Sequence, residues 1–178
     1  MEMLTGQETY TLLNAGDREL FDTEWRQALA LAAKDFDLEA LMLMVCRWWI
    51  TAGGDPARAE STRTDYARMS APQRLTGLSG PVIACTPKAV REALTDEQAW
   101  EFEASWEATC RGETLDTHDW NPLNQLTAAW YRWTQTTPED LAREQELTTT
   151  VENAIAEGRL GDLYAQGVLI DGKHTGPE

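Results

Sequence analysis

The chain has 178 residues, 42% of them hydrophobic and 25% charged, and sets 30 acidic against 15 basic side chains for a formal net charge of -15. That balance argues against long disordered tracts, repels nucleic-acid phosphates and anionic lipid, and favours a basic protein as partner. Cys46, Cys85 and Cys110 are odd in number and lack CxxC spacing, which excludes a disulfide framework and a Cys-rich zinc site.

The opening MEMLTGQETY has neither a basic n-region nor a long apolar run. The most apolar stretch, 38–50, is broken by Glu39 and Arg47 and is too short to span a bilayer. A cytoplasmic location without membrane contact is expected.

In chain order, Phe21, Trp25, Ala28, Leu29 and Ala32 recur at helical spacing and predict an amphipathic helix over about 17–34. Leu41, Met44, Val45 and Trp48 line another over about 38–52, stopped by Gly53-Gly54. Met42, Leu43 and Trp49 make this helix apolar nearly all round, so it is either central to the core or an interface. Asp55-Pro56, Thr86-Pro87, Asn121-Pro122 and Thr137-Pro138 each place a capping oxygen before a residue with no amide to orphan. They predict helix starts near 56, 87, 122 and 138. The segment 70–81, SAPQRLTGLSGP, reads as a linker. Ala99, Phe102, Trp106 and Cys110 predict a helix over about 96–111, opened by a Thr95–Gln98 capping box.

Landmarks recur between the halves. Phe21 and Trp25 correspond to Phe102 and Trp106 at an offset of 81, Arg47-Trp48 to Arg132-Trp133 at 85, and Pro56 to Pro138 at 82. The expected fold is all-α: two similar helical units from an internal duplication, packed as a helical bundle. The units are 1–69 and 82–160, joined by 70–81 and followed by a partly disordered C-terminal tail, 161–178.

The phrase TPKAVREAL (86–94), the acidic turn after it, Phe102 and Trp106, and a helix ending in Arg132-Trp133 resemble an uncharacterised family of small acidic helical proteins of actinobacteria. The resemblance covers 80–145 well and 10–68 more loosely, with GETLDTHDWN (112–121) as an insertion. It implies an antitoxin-like role for some members, paired with a small basic RNase-type toxin.

The residues for bond-making chemistry are sparse. His118 and His174 are the two histidines, the first in a polar loop that reads as solvated and the second in the expected tail. There is no GxxxxGK[ST], no GxGxxG and no ExxH, so no catalytic, cofactor-binding or metal-binding residues are assigned and an enzyme is not expected. Trp25, Trp106, Trp48 and Trp133 are expected in the core. Trp49 and Trp100 are the candidate partner anchors, with Glu103 and Glu107 sharing a helix face at i, i+4. The functional expectation is a non-enzymatic acidic protein-interaction module for a basic partner. A homo-oligomeric scaffold using the 38–52 helix, or a DNA-mimic inhibitor, is the alternative.

Overall fold

A computed structural model describes residues 3–159, and these form an all-α fold. The helices are α1 (Gly6–Leu12), α2 (Ala15–Asp35), α3 (Glu39–Thr51), α4 (Pro56–Ser70), α5 (Pro87–Ala93), α6 (Asp96–Arg111), α7 (Glu113–Thr117), α8 (Asn121–Gln135) and α9 (Pro138–Ala156). A two-residue antiparallel bridge, β1 (Pro72–Gln73) with β2 (Ile83–Ala84), lies between α4 and α5. Helices α1 to α8 belong to one compact unit that ends at Gln135, and α9 to a second that begins at Thr136. This division falls inside the expected second unit, 82–160. The expected tail, 161–178, lies outside the described residues. No described helix is long and apolar enough to cross a membrane.

Side-chain caps set most of the helix starts by satisfying amides that have no partner within the helix. The Thr95 hydroxyl accepts from Gln98 N while the Gln98 side chain accepts from Thr95 N, which is the expected capping box. Asp55 accepts from Ala57 N, Thr86 from Ala89 N, and Thr137 from Asp140 N. Helix α8 differs in detail. Asn121 is already helical, and its amide donates to Asp119 Oδ1 at 2.9 Å.

The core joins Phe21, Trp25 and Leu29 of α2 to Leu41, Val45 and Trp48 of α3, Tyr66 of α4, Val90 of α5, Phe102 and Trp106 of α6, and Leu123 and Tyr131 of α8. Helix α3 packs against α1, α2 and α4, which bury Leu41, Met42, Met44, Val45, Cys46 and Trp48 and leave Leu43 and Ile50 exposed.

The segment 70–81 is not a free tether. Gln73 O accepts from the Tyr131 hydroxyl at 2.8 Å, Pro81 O accepts from Gln135 Nε2 at 2.6 Å, and Gly80 N donates to Gln135 O at 2.9 Å. A Cβ on Gly80 would lie 2.4 Å from Gln135 Cα, so only glycine allows the strap to sit this close. Its Gly/Pro composition marks tight turns and close backbone approach here, not looseness.

Corresponding features recur at a nearly fixed interval. Thr5 and Thr86 each cap a seven-residue helix, and Asn14 and Thr95 cap the next one, at offsets of 81. Phe21 and Trp25 are fully buried, as are Phe102 and Trp106. From Phe36 onward the offset is 82. Phe36 and His118 both end a helix in the left-handed conformation, with φ of 54° and 56°. Asp37 Oδ1 and Asp119 Oδ1 each accept from the amide two residues on, at 2.9 Å in both cases. Trp48 meets Phe21 edge-on with centroids 6.0 Å apart, and Trp130 meets Phe102 edge-on at 5.8 Å. The interval grows from 81 to 82 between Trp106 and His118, the stretch in which α6 breaks at Gly112 into α7.

Contacts across the two sets are reciprocal. Phe36 packs on Phe102 and Trp106, each at 6.0 Å, and Arg91 lies over the Phe36 ring at 5.3 Å. His118 packs on Phe21 and Trp25, each at 5.5 Å, and stacks on Tyr10 at 4.6 Å. Tyr10 and Arg91 are themselves 81 apart.

Burial makes the fold sensitive to alkali. It raises the Cys85 thiol from its ordinary value near 9 to about 11, and, with help from the nearby Glu107 charge, Cys110 to about 12. Tyr66, buried and donating to Asp37 Oδ1 at 2.9 Å, is raised as well. Each group releases its proton more readily when unfolded, so its contribution is complete below about pH 9 and is lost as pH rises through the folded values. The melting temperature is expected to stay level from pH 7 to about 9 and to fall steadily toward pH 11. A circular-dichroism melt series that stays flat to pH 11 would contradict this.

Candidate functional site

On α6 the inward stripe is Phe102, Trp106 and Cys110, which places Trp100, two residues earlier, on the outside with 70% of its surface exposed. On α8 the inward row is Leu123, Thr127 and Tyr131, and Trp133 points away with 57% exposed. Trp133 was expected in the core. It is outside because the buried row of α8 runs through Leu123, Thr127 and Tyr131, and Trp130, not Trp133, is the tryptophan that meets Phe102.

Trp130, half-buried, and Trp133 stand at i, i+3 on α8 and face Gln98 and Glu101, at i, i+3 on α6. With Ala129 they line an open groove of about 360 Å³. Among the described residues no cation is paired with Glu101.

The other expected anchors have different roles. Trp49 is half-buried, its indole N–H donates to Asp55 O at 2.8 Å, and its ring lies so close to Gly54 that a Cβ there would be 2.3 Å from Cε2. It closes the α3–α4 turn. Glu103 accepts from Arg91 Nε at 2.6 Å, and Glu107 pairs with Arg111. Both glutamates line a groove of about 640 Å³ between α2 and α6 that also carries Arg26 and Lys34. Their local cations offset the negative face expected of them, and such exposed pairs contribute little to stability, about 0–1 kcal/mol.

His118 is not a solvated loop residue. Its Nε2 lies 2.8 Å from Asp22 Oδ1, an ion pair when the ring is protonated, and the imidazole is enclosed by Tyr10, Phe21 and Trp25. The left-handed turn after α7 aims it inward, a signal that its helix-ending position could have given. It pins one set of helices to the other. Among the described residues no group of three or more His, Cys, Asp or Glu side chains is placed to hold a metal ion.

These features define an all-α protein whose exposed aromatics are concentrated on one pair of helices. Residues 5–82 match the model of a family of unknown function, DUF6247. The match begins at Thr5, the cap of α1, and covers α1 to α4, the half in which the resemblance read from sequence is the looser one. No curated protein and no solved structure gives a significant match.

Proposed function

We propose that this chain is a non-catalytic interaction module that binds a basic protein. The observation that carries this reading is the pairing of exposed Trp100 and Trp133 with the more acidic part of the chain. Residues 80–135, within the same unit as both tryptophans, hold 9 acidic and 4 basic side chains. Aromatic anchors supply most of the binding energy in protein interfaces, and complementary charge speeds encounter and suppresses wrong partners. The resemblance to acidic proteins paired with small basic toxins supports the same reading.

Full-length tagged protein in extract of its native host at low salt is expected to capture one basic protein in stoichiometric amount, released as salt rises. Combined Trp100→Ala and Trp133→Ala replacement is expected to weaken that capture at least tenfold, since anchor truncations typically cost about 2 kcal/mol or more. Capture unchanged by both replacements, or nothing stoichiometric, would refute the reading.

We also infer an internal duplication in which α5, α6–α7, α8 and α9 repeat α1 to α4. The matching caps, the two left-handed helix ends and the two edge-on Phe–Trp pairs support it, all at offsets of 81 or 82. The family match to the first set alone is consistent with one ancestral unit.

A further inference from the structure

The two sets of helices differ at one place that bears on binding. In the first, Arg47 lies over the Trp48 ring, 6.0 Å from its centroid, and pairs with Glu24, which also accepts from Trp48 Nε1 at 2.7 Å. A guanidinium thus covers that tryptophan and is held by a carboxylate. At an offset of 82, Trp130 takes the place of Trp48, and Ala129 takes the place of Arg47. The second tryptophan has no such cover from its own helix. Beside it the chain adds Trp133 where the first set has Thr51, and Glu101 where the first set has Leu20.

We propose that the groove of Gln98, Glu101, Ala129, Trp130 and Trp133 is a recognition site for an arginine side chain of the basic partner. This rests on the interaction-module reading given above and names the chemistry of one contact within it. The guanidinium lies against the indole faces as Arg47 lies against Trp48, and Glu101 supplies the negative charge that Glu24 supplies there. Arginine is favoured over lysine because its flat, weakly hydrated cation stacks on indole and loses less on desolvation.

The test titrates full-length, 15N-labelled protein with a blocked hexa-arginine peptide at low salt, and with hexa-lysine for comparison. Indole N–H resonances are followed by NMR and affinity by peptide fluorescence anisotropy. The Trp130 and Trp133 indole signals are expected to move while those of Trp25 and Trp106 stay in place, with hexa-arginine binding about three- to tenfold tighter than hexa-lysine. Glu101→Gln is expected to weaken binding about two- to fivefold. Ala129→Arg restores the residue found at the equivalent position and fills the groove from within. It is expected to leave the circular-dichroism spectrum unchanged and to remove most of the arginine preference. Binding that leaves the Trp130 and Trp133 signals still, or that survives Ala129→Arg intact, overturns the groove while the acidic-surface reading stands. No binding of either peptide at low salt overturns both.

Discussion

Replacing Trp106 with alanine is expected to destabilise the fold by about 3–5 kcal/mol, the range for deleting a fully buried aromatic. Few side chains here carry more. Its indole is wholly enclosed, packs on Phe36 and Phe102 at 6.0 Å each, and donates to Ala32 O at 3.1 Å. The acceptor lies near the C-terminus of α2, 74 residues away, and also accepts from the Phe36 amide at 3.0 Å. Removing the ring leaves a cavity and takes away one of the two hydrogen bonds to that carbonyl. Trp106→Phe keeps most of the apolar area and loses one hydrogen bond to a carbonyl that retains the Phe36 amide, so about 0.5–1.5 kcal/mol is expected. Trp100→Ala, on the same helix but exposed, should lie within about 0.5 kcal/mol of the parent. Urea unfolding followed by circular dichroism measures all three. A Trp106→Ala protein as stable as Trp100→Ala would show that the ring does not join the two sets of helices.

Gly6→Ala is expected to cost about 2–3 kcal/mol, although alanine is the better helix former. Gly6 is the first residue of α1, and a Cβ there would lie 2.5 Å from the His118 backbone oxygen and 2.6 Å from Trp25 Cζ3. Neither neighbour can easily give way, since Trp25 is fully enclosed and His118 is fixed in a left-handed turn. Gly16→Ala, within α2, is the matched control. Its Cβ would meet Asn14 Oδ1 at an ordinary 3.5 Å, so the expected change is a gain of about 0.5–1 kcal/mol. Opposite signs at the two glycines, read from the same urea series, are the diagnostic result. A neutral Gly6→Ala would mean that the His118 turn yields easily.

Helix-forming signals in the sequence are local, and most were legible. The proline-preceding caps and the Thr95–Gln98 box placed α4, α5, α6 and α9 closely, because each depends on side chains within a few residues of the helix start. Helices α1 and α7 were missed: at seven and five residues they are too short to show a periodic stripe. The candidate site was half legible. Trp100 stood off a clear stripe and is exposed, but Trp133 was assigned to the core on the strength of a repeated Arg-Trp dipeptide. The likeness of Trp48 to Trp130, each edge-on to a phenylalanine of the preceding long helix, rests on three-dimensional contacts that the dipeptide does not convey. The internal partners of Trp49, Glu103 and Glu107, namely Asp55 O, Arg91 and Arg111, depend on folded geometry that residue type does not convey.

The exchange of Phe36 for His118 has a consequence for how the protein responds to dilution. Each tip residue seats on the aromatic pair of the other set, the self-complementary pattern usual where two identical chains meet about a twofold axis. Here one backbone carries both tips, so the docking is unimolecular and no second molecule need be found. This docking by itself therefore adds no concentration dependence to the melting point, unlike the same contact between separate chains.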